Sequence, residues 1–122
     1  MTHEPDGITF ITRHAPYGTD AAAACLDLVL AFSVFAQQVN YLFYEDGVFQ
    51  LLKDQHGAAA NCKTLSAGLE ALELYGVKNV LVHEESMRVR GLASGDFVLA
   101  VQLIDSQRLR QLVQTSKCVF SL

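Results

Sequence analysis

Charge is scarce in this chain of 122 residues: Asp, Glu, Lys and Arg make up 18% of it, where an ordinary soluble domain holds roughly a quarter. Basic residues are scarcer still, nine against thirteen acidic ones, for a net charge of −4. That balance argues against a broad phosphate-binding surface, so no direct contact with nucleic acid is expected. No run reaches the roughly 18 apolar residues of a membrane span. The longest, from Ala21 to Ala36, is broken by Asp27 and Ser33, so no membrane contact is expected. Met1 to Gly7 is polar and lacks the apolar centre of a secretory signal, and the chain reads as cytoplasmic. There are only three cysteines, Cys25, Cys62 and Cys118. An odd number at wide spacing, with no C-x-x-C pair, is not a disulfide framework or a common zinc or redox motif. The four histidines have no metal-ligand spacing, so no metal is expected. No cofactor is expected either.

Apolar residues, by contrast, are abundant at 51%. One domain of this size has too much surface for its volume to hide them all, which points to burial against another subunit.

The pattern alternates between strands and helices. Gly7 to Thr12 reads as a strand, Arg13 to Thr19 as a turn-rich loop, and Thr19 or Asp20 as the cap of a helix running to about Ala36. That helix is apolar nearly all round, which predicts burial on every side. Val39 to Tyr44 reads as a second strand. A turn at Glu45-Asp46-Gly47 leads into a short apolar element, Val48 to Leu52, and a polar loop from Lys53 to Asn61. Leu65, Leu69 and Leu72 keep helical spacing, with Thr64 or Ser66 as cap and Gly76 at the left-handed C-terminal position. Val77 to Val82 and Phe97 to Leu103 read as strands. Asp105 caps a helix with Leu109, Leu112 and Val113 on one face, and Lys117 to Leu122 closes the chain as a strand. The alternation predicts one α/β domain over residues 1–122, a mostly parallel five-stranded sheet with helices on both faces.

Ligand-handling groups of such sheets lie past the carboxyl ends of the strands. There the sequence places His83-Glu84-Glu85, an imidazole that titrates near neutrality beside two carboxylates. The same residues also read as a strand end followed by an acidic first helical turn. Arg13 to Thr19 precedes a helix N-terminus, which can hold an anion. It carries one glycine and no following lysine, so it is no nucleotide loop, and it offers a flavin phosphate only Thr19. Cys25 lies in the apolar helix and Cys118 in the last strand, both as packing residues. Cys62, between a loop and a helix, is the one cysteine placed to have a lowered pKa, and stands as a candidate sulfur carrier.

Four segments carry a resemblance. They are Ala15-Pro16-Tyr17-Gly18-Thr19 after the first strand, Phe43-Tyr44-Glu45-Asp46-Gly47-Val48-Phe49-Gln50-Leu51 after the second, Ser86-Met87-Arg88-Val89-Arg90-Gly91-Leu92 after the third, and Val119-Phe120-Ser121-Leu122 at the end. In these, nearly along its whole length, the chain resembles the DsrE/DsrF/DsrH-like sulfur-relay family, most closely its TusC/DsrF-type subunits. The run from Asp46 to Leu51 is the most specific. The resemblance implies a flavodoxin-like three-layer sandwich. It also implies a hetero-hexamer with DsrE/TusD-type and DsrH/TusB-type subunits that passes persulfide sulfur to a downstream acceptor protein. The output implied is 2-thiolation of the tRNA wobble uridine or, alternatively, dissimilatory sulfur oxidation. In the sulfur-carrying subunits a cysteine follows the third strand. His83 stands at that position here, which implies a supporting, non-catalytic subunit. Tyr44, Val48, Phe49, Leu51, Phe32 and Phe35 are candidate interface residues, aromatic and aliphatic groups of the kind that concentrate at interfaces. A small ligand binder or enzyme using His83, Glu84 and Arg13 is the remaining reading.

Overall fold

The computed structural model describes residues 7–16, 20–35, 38–53, 65 and 67–122. Five strands form one sheet: β1 (Ile8–Thr12), β2 (Val39–Phe43), β3 (Asn79–His83), β4 (Gln102–Ile104) and β5 (Cys118–Ser121). Their order is β4-β3-β2-β1-β5, and every pairing is parallel. The chain lays β1 to β4 side by side in one direction, then crosses back to set β5 against β1. Right-handed crossovers put the connections of the forward run on one face and that of the return on the other. Helix α1 (Ala21–Ser33), the helical residues 67–70 and the short helix α2 (Glu84–Val89) belong to the forward run; α3 (Ser106–Thr115) belongs to the return.

Alternation along the strands feeds two cores of unequal size. Phe10, Val39, Tyr41, Phe43, Val80 and Val82 pack with Cys25, Leu26 and Val29 of α1 and with Leu65, Leu69 and Leu72. On the other face Leu42, Leu81, Ile104 and Leu112 form a smaller cluster, with Ile11 and Leu109 at its margin. So small a cluster leaves α3 dependent on polar anchors. At its far end Ser116 donates to the Leu112 carbonyl at 2.6 Å, so Thr9 donates to Ser116 at 2.6 Å. Asn40 donates to Thr9 at 3.3 Å and Asn79 to Asn40 at 3.0 Å, a polar row running across three neighbouring strands.

Several expected boundaries move for physical reasons. The strand expected from Phe97 to Leu103 is only Gln102–Ile104. Phe97 instead makes an isolated antiparallel bridge with Leu52 and Val98 donates to the Leu51 carbonyl at 2.7 Å, so this apolar run lies over the main core. The turn and apolar element after β2 are one 3-10 helix, Glu45–Leu51. Helix α1 is buried along Ala22, Cys25, Leu26 and Val29 rather than on every side; Leu28 and Val34 are exposed. Val113 of α3 faces solvent at 37% exposure, not the core. The expected caps Thr19, Thr64 and Ser66 and the loop from Asp54 to Asn61 lie outside the described residues. Gly76 adopts a φ of +83°, the left-handed position expected of it.

The Asp46–Leu51 motif explains itself in this setting. A Cβ on Gly47 would lie 2.1 Å from the Thr12 carbonyl oxygen, so only glycine lets the 3-10 helix pass β1. Gln50 donates to Thr12 Oγ1 at 2.7 Å and to the His14 carbonyl at 2.8 Å, tying the helix to the chain leaving β1. Val48 and Leu51 complete the core. Gly47→Ala is therefore expected to cost at least about 2 kcal/mol in urea unfolding, because backbone rather than a side chain must give way. Gly95→Ala, which meets nothing within 4 Å, should stay within about 0.5 kcal/mol of the parent.

Candidate functional site

The carboxyl edge of the sheet gathers Arg13 after β1, Tyr44 and Glu45 after β2, His83 ending β3, Ser86 on α2, and Asp105 and Ser106 after β4. β3 runs on to include His83, which pairs in register with Ile104 and serves as the residue before α2. His83 is only 7% exposed. Both ring nitrogens are engaged: Nδ1 lies 2.8 Å from Ser86 Oγ and Nε2 lies 2.8 Å from Ser106 Oγ. The Tyr44 ring packs against the imidazole with centroids 5.1 Å apart.

One further bond joins this group. The Glu45 backbone N–H donates to Ser86 Oγ at 2.9 Å. A serine oxygen keeps a second lone pair and one proton, so Ser86 meets Nδ1 as acceptor or as donor according to the ring's tautomer. In either tautomer both ring nitrogens are engaged by serine hydroxyls, and the imidazole ties the end of β3 to α2 and α3.

Burial is the largest influence on the imidazole and lowers its pKa from the usual 6.5; Glu85, Asp105 and Glu45, in that order, pull it back up. Around it, Arg13 pairs with Glu45 at 3.1 Å and Arg90 with Asp46 at 3.0 Å. Ion pairs this exposed contribute about 1 kcal/mol or less. Arg90 also donates to the Ser86 carbonyl at 3.1 Å. Glu45 holds φ at +52°, in the left-handed region that a non-glycine residue occupies only where its surroundings enforce it.

The structure separates the other residues singled out in the sequence. Glu84 is exposed on the first turn of α2, and the Arg13 guanidinium is engaged by Glu45. Cys25 is fully buried, and burial pushes its thiol up to about 11, partly offset by a Thr12 hydrogen bond. Cys118 is exposed on the edge strand β5. Cys62 lies outside the described residues. Of the interface candidates, Val48 and Leu51 are fully buried, so their apolar surface is already covered within the chain. Phe32 sits in an aromatic group with Phe10 and Phe120. Tyr44 and Phe49 are half-buried, and Phe35 stands 86% exposed. Ser106 stands in none of the sequence motifs, and Ser86 and Glu45 stand in them without a role of their own. Only Ser86, three residues after His83 on one helical turn, left a usable spacing.

A cavity of about 260 Å³ lies away from this edge, lined by Leu69, Leu72, Val77, Val80 and Leu99 with Glu70, Glu73 and Lys78 around them. Among the described residues no group of His, Cys, Asp or Glu is arranged to hold a metal ion, and no helix is long and apolar enough to cross a membrane.

The depressed imidazole pKa has a stability consequence. Between the folded pKa and 6.5 the unfolded chain binds the proton that the folded chain refuses, so stability is full above about pH 6.5 and declines below it until the folded pKa is passed. Urea midpoints at about pH 7.5 and about pH 5.5 should fall further for the parent than for His83→Gln. Equal falls would contradict this assignment.

A family model described as the DsrE/DsrF-like family matches residues 6–122. A protein from Pseudomonas aeruginosa named as a TusC homolog is 40% identical over 115 residues, covering 94% of this chain and 97% of that protein. The intracellular sulfur oxidation protein DsrF of Allochromatium vinosum is 34% identical over 126 residues, covering 92% of this chain and 93% of its own. The crystal structure of the ychN protein from E. coli aligns with a TM-score of 0.80 at 21% identity, over 96% of this chain and 99% of that one. That likeness is one of fold alone. Matched along almost all of its length, the chain belongs to the DsrE/DsrF-like family.

Proposed function

We propose that this chain is a non-catalytic subunit of a cytoplasmic sulfur-relay complex, supporting persulfide transfer toward 2-thiolation of the tRNA wobble uridine. The observation that carries the reading is the His83 tie. Where a sulfur carrier needs an accessible thiol at the end of β3, this chain has a buried imidazole with both nitrogens bonded. Sulfur transfer requires a thiolate to attack a persulfide. Cys25 is held protonated by burial, and no thiol stands at this sheet edge among the described residues.

The partners proposed are related DsrE/TusD-type and DsrH/TusB-type subunits in a hetero-hexamer, with a downstream sulfur acceptor. An apolar surplus in composition, exposed Leu28 on α1 and exposed Val34 and Phe35 just past its end support association. The second reading, a DsrF-type subunit in sulfur oxidation, is favoured by the Allochromatium relative at 34% identity. The TusC-named relative at 40% puts thiolation ahead of it. Genes for a dissimilatory sulfite reductase beside this one would reverse that order.

Co-expression with the neighbouring genes, followed by mass measurement of the intact assembly, tests the proposal. A hetero-oligomer containing this chain is expected, and Cys62→Ser is expected to leave thiolation intact in it. A stable lone monomer, or thiolation lost in Cys62→Ser while the assembly persists, contradicts the reading.

A further inference from the structure

An open sheet has two edge strands, and here they differ. β4 is three residues long and runs straight into Asp105. β5 is the other edge, and its four residues, Cys118 to Ser121, are all exposed. Its outward backbone groups follow from the bonds around it. Ile8 donates to the Gln38 carbonyl and Thr12 accepts from Tyr44, both on the β2 side. Ile11 therefore faces β5, where it accepts from Leu122 N–H at 2.9 Å, and the Leu122 carbonyl accepts from Arg13 N–H at 2.8 Å. Alternation then turns Phe120 toward β1, and Val119 and Ser121 outward. Edge strands are commonly blunted by a charge or a proline. β5 contains neither.

The helix beside this edge is open on the same side. Phe120 stacks on Phe10 with centroids 5.2 Å apart and meets Phe32 of α1 at 5.6 Å. That contact marks the flank of α1 that looks toward β5. The other flank faces residue 68, where a Cβ on Gly68 would lie 2.6 Å from Leu26 Cδ2. Leu28 is four residues before Phe32 and Phe35 three after it, and Val34 keeps helical angles, so both stand on Phe32's side. Leu28 is 36% exposed, Phe35 86% and Phe120 37%. An unpaired backbone edge and an apolar helix flank thus adjoin.

We propose that β5 pairs antiparallel with β5 of a second copy of this chain about a two-fold axis, so that two five-stranded sheets continue into one. A two-fold contact presents each group to its own copy, and β5 is suited to that. With the axis at Phe120, Val119 of one copy and Ser121 of the other exchange both backbone bonds, on each side of the axis. Phe120 then faces its own copy in the closer, non-hydrogen-bonded pair, as an aromatic cross-strand contact. The nearest charge, Lys117, does not meet itself. The two copies of it lie at opposite ends of the seam, about 20 Å apart at an ordinary strand rise. The flanks of α1 carrying Leu28, Phe32 and Phe35 face each other across the seam. The proposal rests on this edge and not on the sulfur-relay reading; in an assembly with two copies of this chain, it joins them.

Mass measurement of the purified full chain over a concentration series, with hydrogen exchange at the β5 amides, tests it. A concentration-dependent dimer is expected, in which the Val119 and Ser121 amides exchange at least about tenfold more slowly than in the dilute chain. Ser121→Pro removes one outward N–H and spares the bonds to β1, a change that edge strands tolerate. It should leave the urea midpoint of the dilute chain near the parent's. Its dimer Kd should rise at least about tenfold, since a backbone bond is lost from each copy. Ser121→Ala keeps that N–H and should dimerise like the parent. A monomer up to about 1 mM, a dimer whose Val119 amide exchanges as fast as in the dilute chain, or a Ser121→Pro chain that dimerises like the parent overturns the proposal.

Discussion

A histidine buried at the end of a parallel strand has two ring nitrogens to satisfy and almost no water to do it with. In this chain serine hydroxyls on two different helices meet that demand, and the carboxyl edge of the sheet is organised around them. Leaving either nitrogen unpaired would cost on the order of 1–3 kcal/mol, more than the nearby ion pairs contribute. The consequences spread outward. Ser86 fixes Glu45 through its backbone, Glu45 takes a left-handed conformation, and Arg13 and Arg90 settle onto the carboxylates of the turn. The first turn of α3 is held over β3 by Ser106, while Thr9 and Ser116 secure its other end.

Topology places this tie where an open parallel sheet keeps its crevice. Such crevices form at the carboxyl ends of neighbouring strands whose outgoing connections go to opposite faces. Here β3 leads into α2 on one face and its neighbour β4 into α3 on the other, and His83 ends β3. The chain leaving β4 turns straight into α3, and Ser106 covers the ring. A reactive thiol at the end of β3 would need that space open. An imidazole fills it and bonds to what covers it.

Much of the architecture was legible in the sequence because it rests on periodicity. The apolar strands, the Leu65–Leu69–Leu72 spacing, the Asp105 cap and the left-handed Gly76 each follow from local chemistry, and the structure has them in place. Phe97 to Val101 misled because an apolar run covers a core as readily as it forms a strand, and only the bridge to Leu52 distinguishes the two. The cover on α1 was overstated for a related reason: composition shows that a helix is apolar, not which side has a partner. At the site, His83 was visible as the end of a strand. Its bonding was not, since Ser106 lies 23 residues away in sequence and Glu45 contributes a backbone N–H that no side-chain pattern reports.

Family membership and the bonded imidazole support the proposal that the end of β3 serves here as a structural tie and that the thiol chemistry belongs to another subunit. The direct measurement is mass spectrometry of each subunit after the assembled complex is loaded from a persulfide donor and trapped by alkylation. The account predicts the added sulfur on a partner subunit and this chain at its unmodified mass. Near-stoichiometric persulfide on this chain would contradict it.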